Sequence, residues 1–452
     1  MSGVVLTRSP ELEGIGGLLR VGKDALGTFE EARRLHGTFV TYRRFDNETV
    51  HLLMEPALVD ELLVRHADHL RKDDYIRALQ PILGKGLLTN DGAPWKEQRK
   101  LLAPSFQPKH IGKYADVMVQ ATEELIATFS SADVRNVHTD MMALALDIVV
   151  RTLFGSNTVR TSEVGKLLDV IMDDFRRLGL SFRALFPEWF PWLSRIRFLR
   201  MRGKLARIVD EVIQARKQAP LTDDMLSRLL EAKDDAGRGM SDGQLLDECL
   251  TVMLAGHETT ALTLMFALDQ LTRQPELQER LAREIEGALG ERSATLGDVQ
   301  HLPLAKAVVK ETLRLFPPAW AAGRVALEDF TLGGEPIRAG TQLIVAPWVL
   351  HREERYFKDA LSFRPERFLN GETDNLPKGV YLPFGAGPRY CIGSHFAELE
   401  AVLVLVTLVQ RLEWQATSPA PLTFAPSVTL RPGAPVRLRI RPRVRKAAGA
   451  AA

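Results

Sequence analysis

The run Phe384, Gly385, Ala386, Gly387, Pro388, Arg389, Tyr390, Cys391, Ile392, Gly393 constrains this chain more than any other stretch, because it carries one of only two cysteines on a glycine-punctuated loop. Gly385 and Gly387 permit positive φ and therefore a tight hairpin ahead of the sulfur, and Gly393 lets a planar ligand approach the helix that follows. Backbone N–H groups of such a turn point at the sulfur and stabilise its anion, the form in which cysteine ligates a metal. A lone intracellular cysteine is more often a small buried hydrophobe, and sometimes a catalytic nucleophile. The flanking glycines argue against the first reading. Cys391 and His395 stand four residues apart and could begin a zinc pair. Zinc takes four protein ligands, or three and a water, and Cys249 lies far away in an apolar run.

Length alone suggests two or three domains, at roughly 100 to 200 residues each. No linker or repeat divides the chain, so residues 1–452 read as a single domain with a flexible extension at 1–20 and a flexible Ala-rich tail at 446–452. The 59 basic and 57 acidic residues nearly cancel, which argues against nucleic-acid or membrane binding driven by net charge. The alternating run Arg437, Arg439, Arg441, Arg443, Arg445 reads as a terminal edge strand with one solvated face. Two cysteines do not make a disulfide framework and suit a reducing cytoplasm. Neither a signal peptide nor a stable membrane anchor is read at the N-terminus, where Arg8, Glu11 and Glu13 follow a short apolar start. Residues 249–268 are apolar enough to invite a membrane span, yet they hold His257, Glu258 and two threonines beside it, so they read as a buried core helix.

Residues 39–42 and 49–54 form a hairpin pattern around Asp46 and Asn47, followed by a helix at 56–66. Amphipathic periodicity then predicts helices over 95–102, 111–129, 141–153, 162–178, 202–217, 223–232 and 242–271. Strand-like segments return at 324–326, 341–346 and 423–441. The fold class expected is mainly α with a minor, partly non-local β region.

Three constellations accompany the cysteine. Ala255, Gly256, His257, Glu258, Thr259 and Thr260 interrupt the longest apolar helix, where an unpaired buried polar group costs about 1–3 kcal/mol. A Thr259 hydroxyl bonded back to the carbonyl of Ala255, with Gly256 in the same turn, bends such a helix and opens a polar groove. Glu311 and Arg314 share a helix face ahead of the stop at Pro317 and Pro318, a spacing worth about 0.2–0.5 kcal/mol if solvated. Trp95 and Arg99 share another face, and an amphipathic surface helix explains them as well.

The cysteine run, with Phe384, Gly385, Gly387, Arg389, Cys391 and Gly393 in register, resembles the haem-binding signature of the cytochrome P450 monooxygenases. The resemblance extends over nearly the whole chain. It implies the fold of that family, with a long central helix over a haem b and the cysteine-ligand loop on the proximal side. By the same resemblance Cys391 is the axial ligand of the haem iron, and Glu258 and Thr259 are an acid-alcohol pair delivering protons to dioxygen. Trp95, Arg99, Arg324 and Arg389 hold the propionates, and Ala255, Phe384 and Gly393 border the cofactor. Arg367, in Pro365, Glu366, Arg367, Phe368, completes a buried structural triad with Glu311 and Arg314. Bacterial relatives often carry His where Trp95 stands.

The function implied is insertion of one oxygen atom from O2 into a hydrophobic small molecule such as a fatty acid or terpenoid. Electrons would come from an external ferredoxin or flavodoxin with its reductase, steered by a basic patch of Arg99, Lys100 and Arg389. The enzyme is expected to be a cytoplasmic monomer. A peroxide-driven or rearranging enzyme on the same fold is the alternative, and a cysteine-nucleophile hydrolase the remote one. By resemblance the distal pocket is lined by 75–88, 175–192, 250–263, 318–322 and 427–429, with the aromatic residues of 182–192 as an access lid or an ordinary core cluster.

Overall fold

The longest apolar stretch becomes the longest helix, Asp242–Arg273, in the computed structural model, which describes residues 5–130, 133–155, 161–179 and 193–444. Ser241 caps it by accepting the Gln244 N–H (3.3 Å), and Gln274 ends it ahead of Pro275. It is long and apolar enough to cross a bilayer, yet 78% of its most apolar window is buried inside the fold. Around it pack Val137–Phe154, Leu193–Gln218, Pro303–Leu315 and Ser394–Arg411, so its apolar residues on every side meet protein.

A six-stranded sheet flanks the helices, in the order Leu6–Arg8, Phe39–Arg43, Thr49–Leu53, Gln342–Val345, Ala322–Ala326, Leu70–Lys72. The hairpin expected around Asp46 and Asn47 is present, with Phe39 opposite Leu53 and Asn47 at φ 66°. Its partners from 322–345 come from nearly 300 residues later in the sequence, which is the non-local β region expected.

Three expectations change. Residues 5–20 do not form an unstructured extension: Leu6–Arg8 pairs in parallel with Phe39–Arg43, and Gly14–Lys23 is helical. The helix expected over 56–66 divides into an α-helix, Pro56–Asp60, and a wider π-helical turn, Glu61–Arg65, closed by the His66 N–H on the Glu61 carbonyl. The strand Arg437–Pro442 is not an edge strand. It lies between Leu412–Ala416 and Val134–Asn136, paired on both edges, with Leu438 and Ile440 buried on one face and Arg437, Arg439 and Arg441 facing solvent on the other. The aromatic cluster expected within 182–192 and the tail at 446–452 lie outside the described residues.

Candidate active site

The loop at 384–393 folds as its glycines dictate. Gly385 and Gly387 take φ of 75° and 65°, and the Cys391 N–H closes the hairpin on the Phe384 carbonyl (2.9 Å). Gly387 also seats the loop: a Cβ there would lie 2.1 Å from the Leu63 carbonyl oxygen in the π-helical turn. Cys391 is exposed onto a cavity of about 380 Å³. Burial raises its thiol pKa, while the Gly393 N–H and the charges of Arg99 and Lys72 act the other way.

Ala255, Gly256 and Thr259 of the central helix line the same cavity, with Phe384, Gly393, Trp95 and Arg99. The back-bond expected of Thr259 is present, its hydroxyl donating to the Ala255 carbonyl (2.8 Å). The helix stays helical through this turn. Gly256 allows close packing as well, since a Cβ there would stand 3.1 Å from Val149. Thr260, also on the lining, buries its Oγ1 with no hydrogen-bond partner among the described residues.

One rim of the cavity is cationic. Lys72, Arg324 and Arg389 border a small recess with Asp91, and Lys72 and Arg389 also line the main cavity with Arg99. Arg389 donates to the Asn90 carbonyl (3.0 Å) and Asp91 (2.6 Å), and its guanidinium lies 3.7 Å over the Trp95 ring. Burial lowers its pKa to about 10, against the pull of Asp91 and with repulsion from Arg324 and Arg99. Lys72 is pushed further, to about 7, by burial and by Arg324 and Arg389. Among the described residues no carboxylate lies within ion-pair distance of its ammonium. A cluster with such an excess of positive charge fits an anionic ligand. Sequence reading missed Lys72, because Arg71, Lys72, Asp73 and Asp74 look like a solvated charge run.

The acid-alcohol pair is split. Thr259 lines the cavity, whereas Glu258, 2% exposed, is not on the lining. Its Oε1 accepts from Thr429 Oγ1 (2.6 Å) and Arg431 Nε (2.5 Å) at the end of the Phe424–Pro432 hairpin. Burial raises its pKa, but Arg431 and Thr429 outweigh burial and hold it below the usual carboxylate range. Residues 427–429, expected on the pocket wall, are not on the lining: Thr429 serves Glu258 and the Ser427 carbonyl accepts from Trp320 Nε1 (2.9 Å), while of 75–88 only Leu87 and Leu88 reach it. Arg431→Leu is expected to leave the buried carboxylate unpaired, at a cost of about 3–5 kcal/mol. The paired carboxylate contributes stability above its unfolded pKa that is lost as pH falls through its depressed folded value. In the variant burial dominates, so Glu258 is worst accommodated at neutral pH. Thermal melts should show a gap of several degrees between wild type and variant at pH 7 that narrows at pH 4.5. A gap independent of pH would contradict this account.

Glu311, Arg314 and Arg367 meet as a triad, exposed by 0%, 0% and 1%. Arg314 donates to both Glu311 oxygens (2.8 and 2.9 Å), and Arg367 Nε to Oε1 (3.1 Å). Arg314 also donates to the carbonyls of His351 (2.6 Å) and Ala360 (2.7 Å). His351 extends the network toward the cysteine. Its Nδ1–H donates to the Arg314 carbonyl (3.1 Å) and its Nε2 accepts the Leu382 N–H (2.8 Å), two residues before Phe384. Burial, with repulsion from Arg314, lowers the His351 pKa to about 3, so it stays neutral.

No group of three or more His, Cys, Asp or Glu side chains converges as a metal site among the described residues, so Cys391 and His395 lack the partners a zinc site needs. A thiol on the cavity wall, the polar turn of the facing helix and a cationic rim suit an anionic ligand within reach of the sulfur.

Comparison with known proteins agrees. The family described as Cytochrome P450 matches residues 9–437. The chain is 32% identical to cyclooctatin synthase of Streptomyces melanosporofaciens, over 90% of this chain and 89% of that one. It is 29% identical to pentalenene oxygenase of Streptomyces avermitilis, over 91% and 92%. It is 31% identical to cytokinin hydroxylase of Arabidopsis thaliana, over 87% and 79%. These matches show that the chain belongs to the cytochrome P450 family as a haem-thiolate monooxygenase.

Proposed function

We propose that Cys391 would supply the thiolate to the iron of a haem b, that Arg99, Arg324, Arg389 and Lys72 would hold its propionates, and that the substrate is a terpenoid-like hydrocarbon. The observation that carries this reading is the Cys391 side chain facing Ala255 and Thr259 across one cavity with the cations at its rim. Trp95 supports the rim by stacking under Arg389, and Ala255, Phe384 and Gly393 line the cavity that would receive the cofactor. When bound, the haem supplies activation of dioxygen and transfer of one oxygen atom to substrate, the other leaving as water.

The protein's own residues supply confinement and proton control. Leu87, Leu88, Leu102 and Val252 give the wall an apolar surface that takes up a hydrocarbon and excludes water. The relatives named for cyclooctatin and pentalenene are consistent with that class. Thr259 holds its proton on the Ala255 carbonyl at rest and presents the hydroxyl oxygen to the cavity. Glu258, kept ionised by Arg431, acts as the proton carrier behind it when that pair loosens.

Monooxygenases of this family draw electrons from redox partners. The partner proposed here is an acidic ferredoxin or flavodoxin. Of the cations expected to steer it, Lys100 pairs with Asp235 (2.5 Å) and Arg389 with Asp91 (2.6 Å), while Arg99 lines the cavity. The two free cysteines fit a cytoplasmic setting. One continuous core joining the central helix, Ser394–Arg411 and the C-terminal strands supports a single domain.

Thr259→Ala is expected to bind haem normally while the ratio of product formed to NAD(P)H consumed falls severalfold, the difference appearing as hydrogen peroxide. Coupling should be measured with a ferredoxin system and a sesquiterpene that gives a substrate-type Soret shift. Unchanged coupling would confine Thr259 to a packing role.

A further inference from the structure

Between Leu83 and Asp91 the chain reaches both solvent and cavity: Lys85 is exposed, and Leu87 and Leu88 line the chamber. This segment is pinned to the central helix by adjacent carboxylates. Asp247 Oδ2 accepts the Lys85 N–H (2.8 Å), and Glu248 Oε2 accepts the Leu87 N–H (3.0 Å). Glycines make the approach close enough. At Gly84 (φ +60°) a Cβ would lie 1.9 Å from the Asp247 carboxylate, and at Gly86 one would lie 2.1 Å from Thr251 Oγ1 and 2.8 Å from the Asp247 carbonyl oxygen. On its other side the segment is held by Gln98, which donates to the Lys85 carbonyl (2.6 Å) and accepts from Asn90 (2.9 Å).

Glu248 is an unusual clasp. It is 0% exposed, and its second oxygen, Oε1, has no hydrogen-bond partner among the described residues. A solvated glutamate needs no such burial, and an apolar side chain would fill the space without an orphaned acceptor. We propose that Asp247 and Glu248 are positioning residues that latch the 84–90 segment as a proton-sensitive wall of the chamber, closed when Glu248 is neutral and opened to exchange ligands when it ionises. The proposal rests on the reading of this cavity as the haem and substrate chamber.

Burial raises the Glu248 pKa to about 7, with the Leu87 N–H acting against it and Asp247 adding to it. The other charged groups facing this cluster are Lys85 and Arg202, which favour ionised Asp247. Cys249, next to Glu248, is buried and holds its proton, its thiol raised further by Glu248 and Asp224. In an open state Glu248 is solvated and returns toward the ordinary value of 4.5. The closed state binds the extra proton, so its advantage is complete below that value, falls as pH rises, and levels off above about 7.

The test uses the haem-loaded protein. Amide exchange of the 84–90 peptide is followed at pH 5.5 and pH 8, corrected for intrinsic rates. In parallel, stopped flow measures association of tert-butyl isocyanide, a neutral and bulky haem ligand that does not titrate. Protection should fall, and association rise, by at least about tenfold between the two pH values in the wild type, since each pKa unit titrated is worth a factor of about ten. Glu248→Gln keeps an acceptor for the Leu87 N–H without a charge, and should stay protected and slow at both pH values. Gly86→Ala, whose Cβ meets Thr251, should be unprotected and fast at both. A wild type without pH response, a Glu248→Gln protein that responds as the wild type does, or a fully protected Gly86→Ala protein would each overturn the latch. Absence of any isocyanide band would count against the haem reading instead, since amide exchange reports the latch without the cofactor.

Discussion

Cys391→Ala is expected to bring monooxygenase turnover to background and to abolish the thiolate-type absorption of the reduced, carbon-monoxide-bound protein, whereas Cys249→Ala keeps both. The contrast follows from where the two sulfurs sit. Cys249 is 0% exposed inside the central helix, and burial raises its thiol pKa well above the ordinary range. Cys391 opens onto the cavity, where the Gly393 N–H, Arg99 and Lys72 favour its anion against the cost of burial. Only the second is placed to donate a thiolate to a metal, and thiolate donation sets both the spectrum and the reactivity of such a haem. Cys391→Ser keeps the size and the hairpin but replaces the sulfur, so it should fold and still lose the thiolate spectrum. Retention of that spectrum in Cys391→Ala would refute the ligand assignment.

Glu311→Ala should have the largest effect on the fold itself. The carboxylate is the anion of a cluster holding two buried guanidinium groups, and its removal leaves both without their counter-charge. Breaking a buried network from one side costs about 3–5 kcal/mol, roughly tenfold the value of an exposed pair at this spacing. The carbonyls of His351 and Ala360 still accept from Arg314, but they carry no net charge to offset it. Because His351 connects Arg314 to Leu382, the damage should extend to the cysteine loop. The measurements are thermal stability and the haem absorbance recovered per mole of chain, and both should drop severely. Glu311→Gln, which keeps hydrogen bonds but not charge, should fall between. A Glu311→Ala protein with wild-type haem content and melting temperature would reduce the triad to a surface-like pair.

Some of this site was legible because its cause is local. The hairpin at Cys391 follows from Gly385 and Gly387, whose positive φ values are available to glycine without a Cβ penalty. The Thr259 back-bond spans one helical turn, and Glu311 and Arg314 meet three residues apart on one helix. The resemblance to a known family supplied Arg367, which no local pattern connects to Glu311 across 56 residues. It did not supply Lys72, whose neighbours in sequence are charged and whose burial exists only once Ala322–Ala326 pairs over it.

The sequence by itself determined the amphipathic helices between 95 and 271, the long apolar centre, the hairpin at Asn47 and the loop that presents Cys391, since each depends on periodicity or on backbone freedom within a few residues. Only the tertiary structure decided that Arg437–Pro442 runs in the middle of its sheet, that Leu6–Arg8 is a strand, and that Glu258 turns from the cavity to Arg431, 173 residues away. It alone set two carboxylates of the central helix against the backbone of 84–90. Strand order and ion-pair partners are chosen by burial and charge summed over distant segments, and no short window of residues contains that sum.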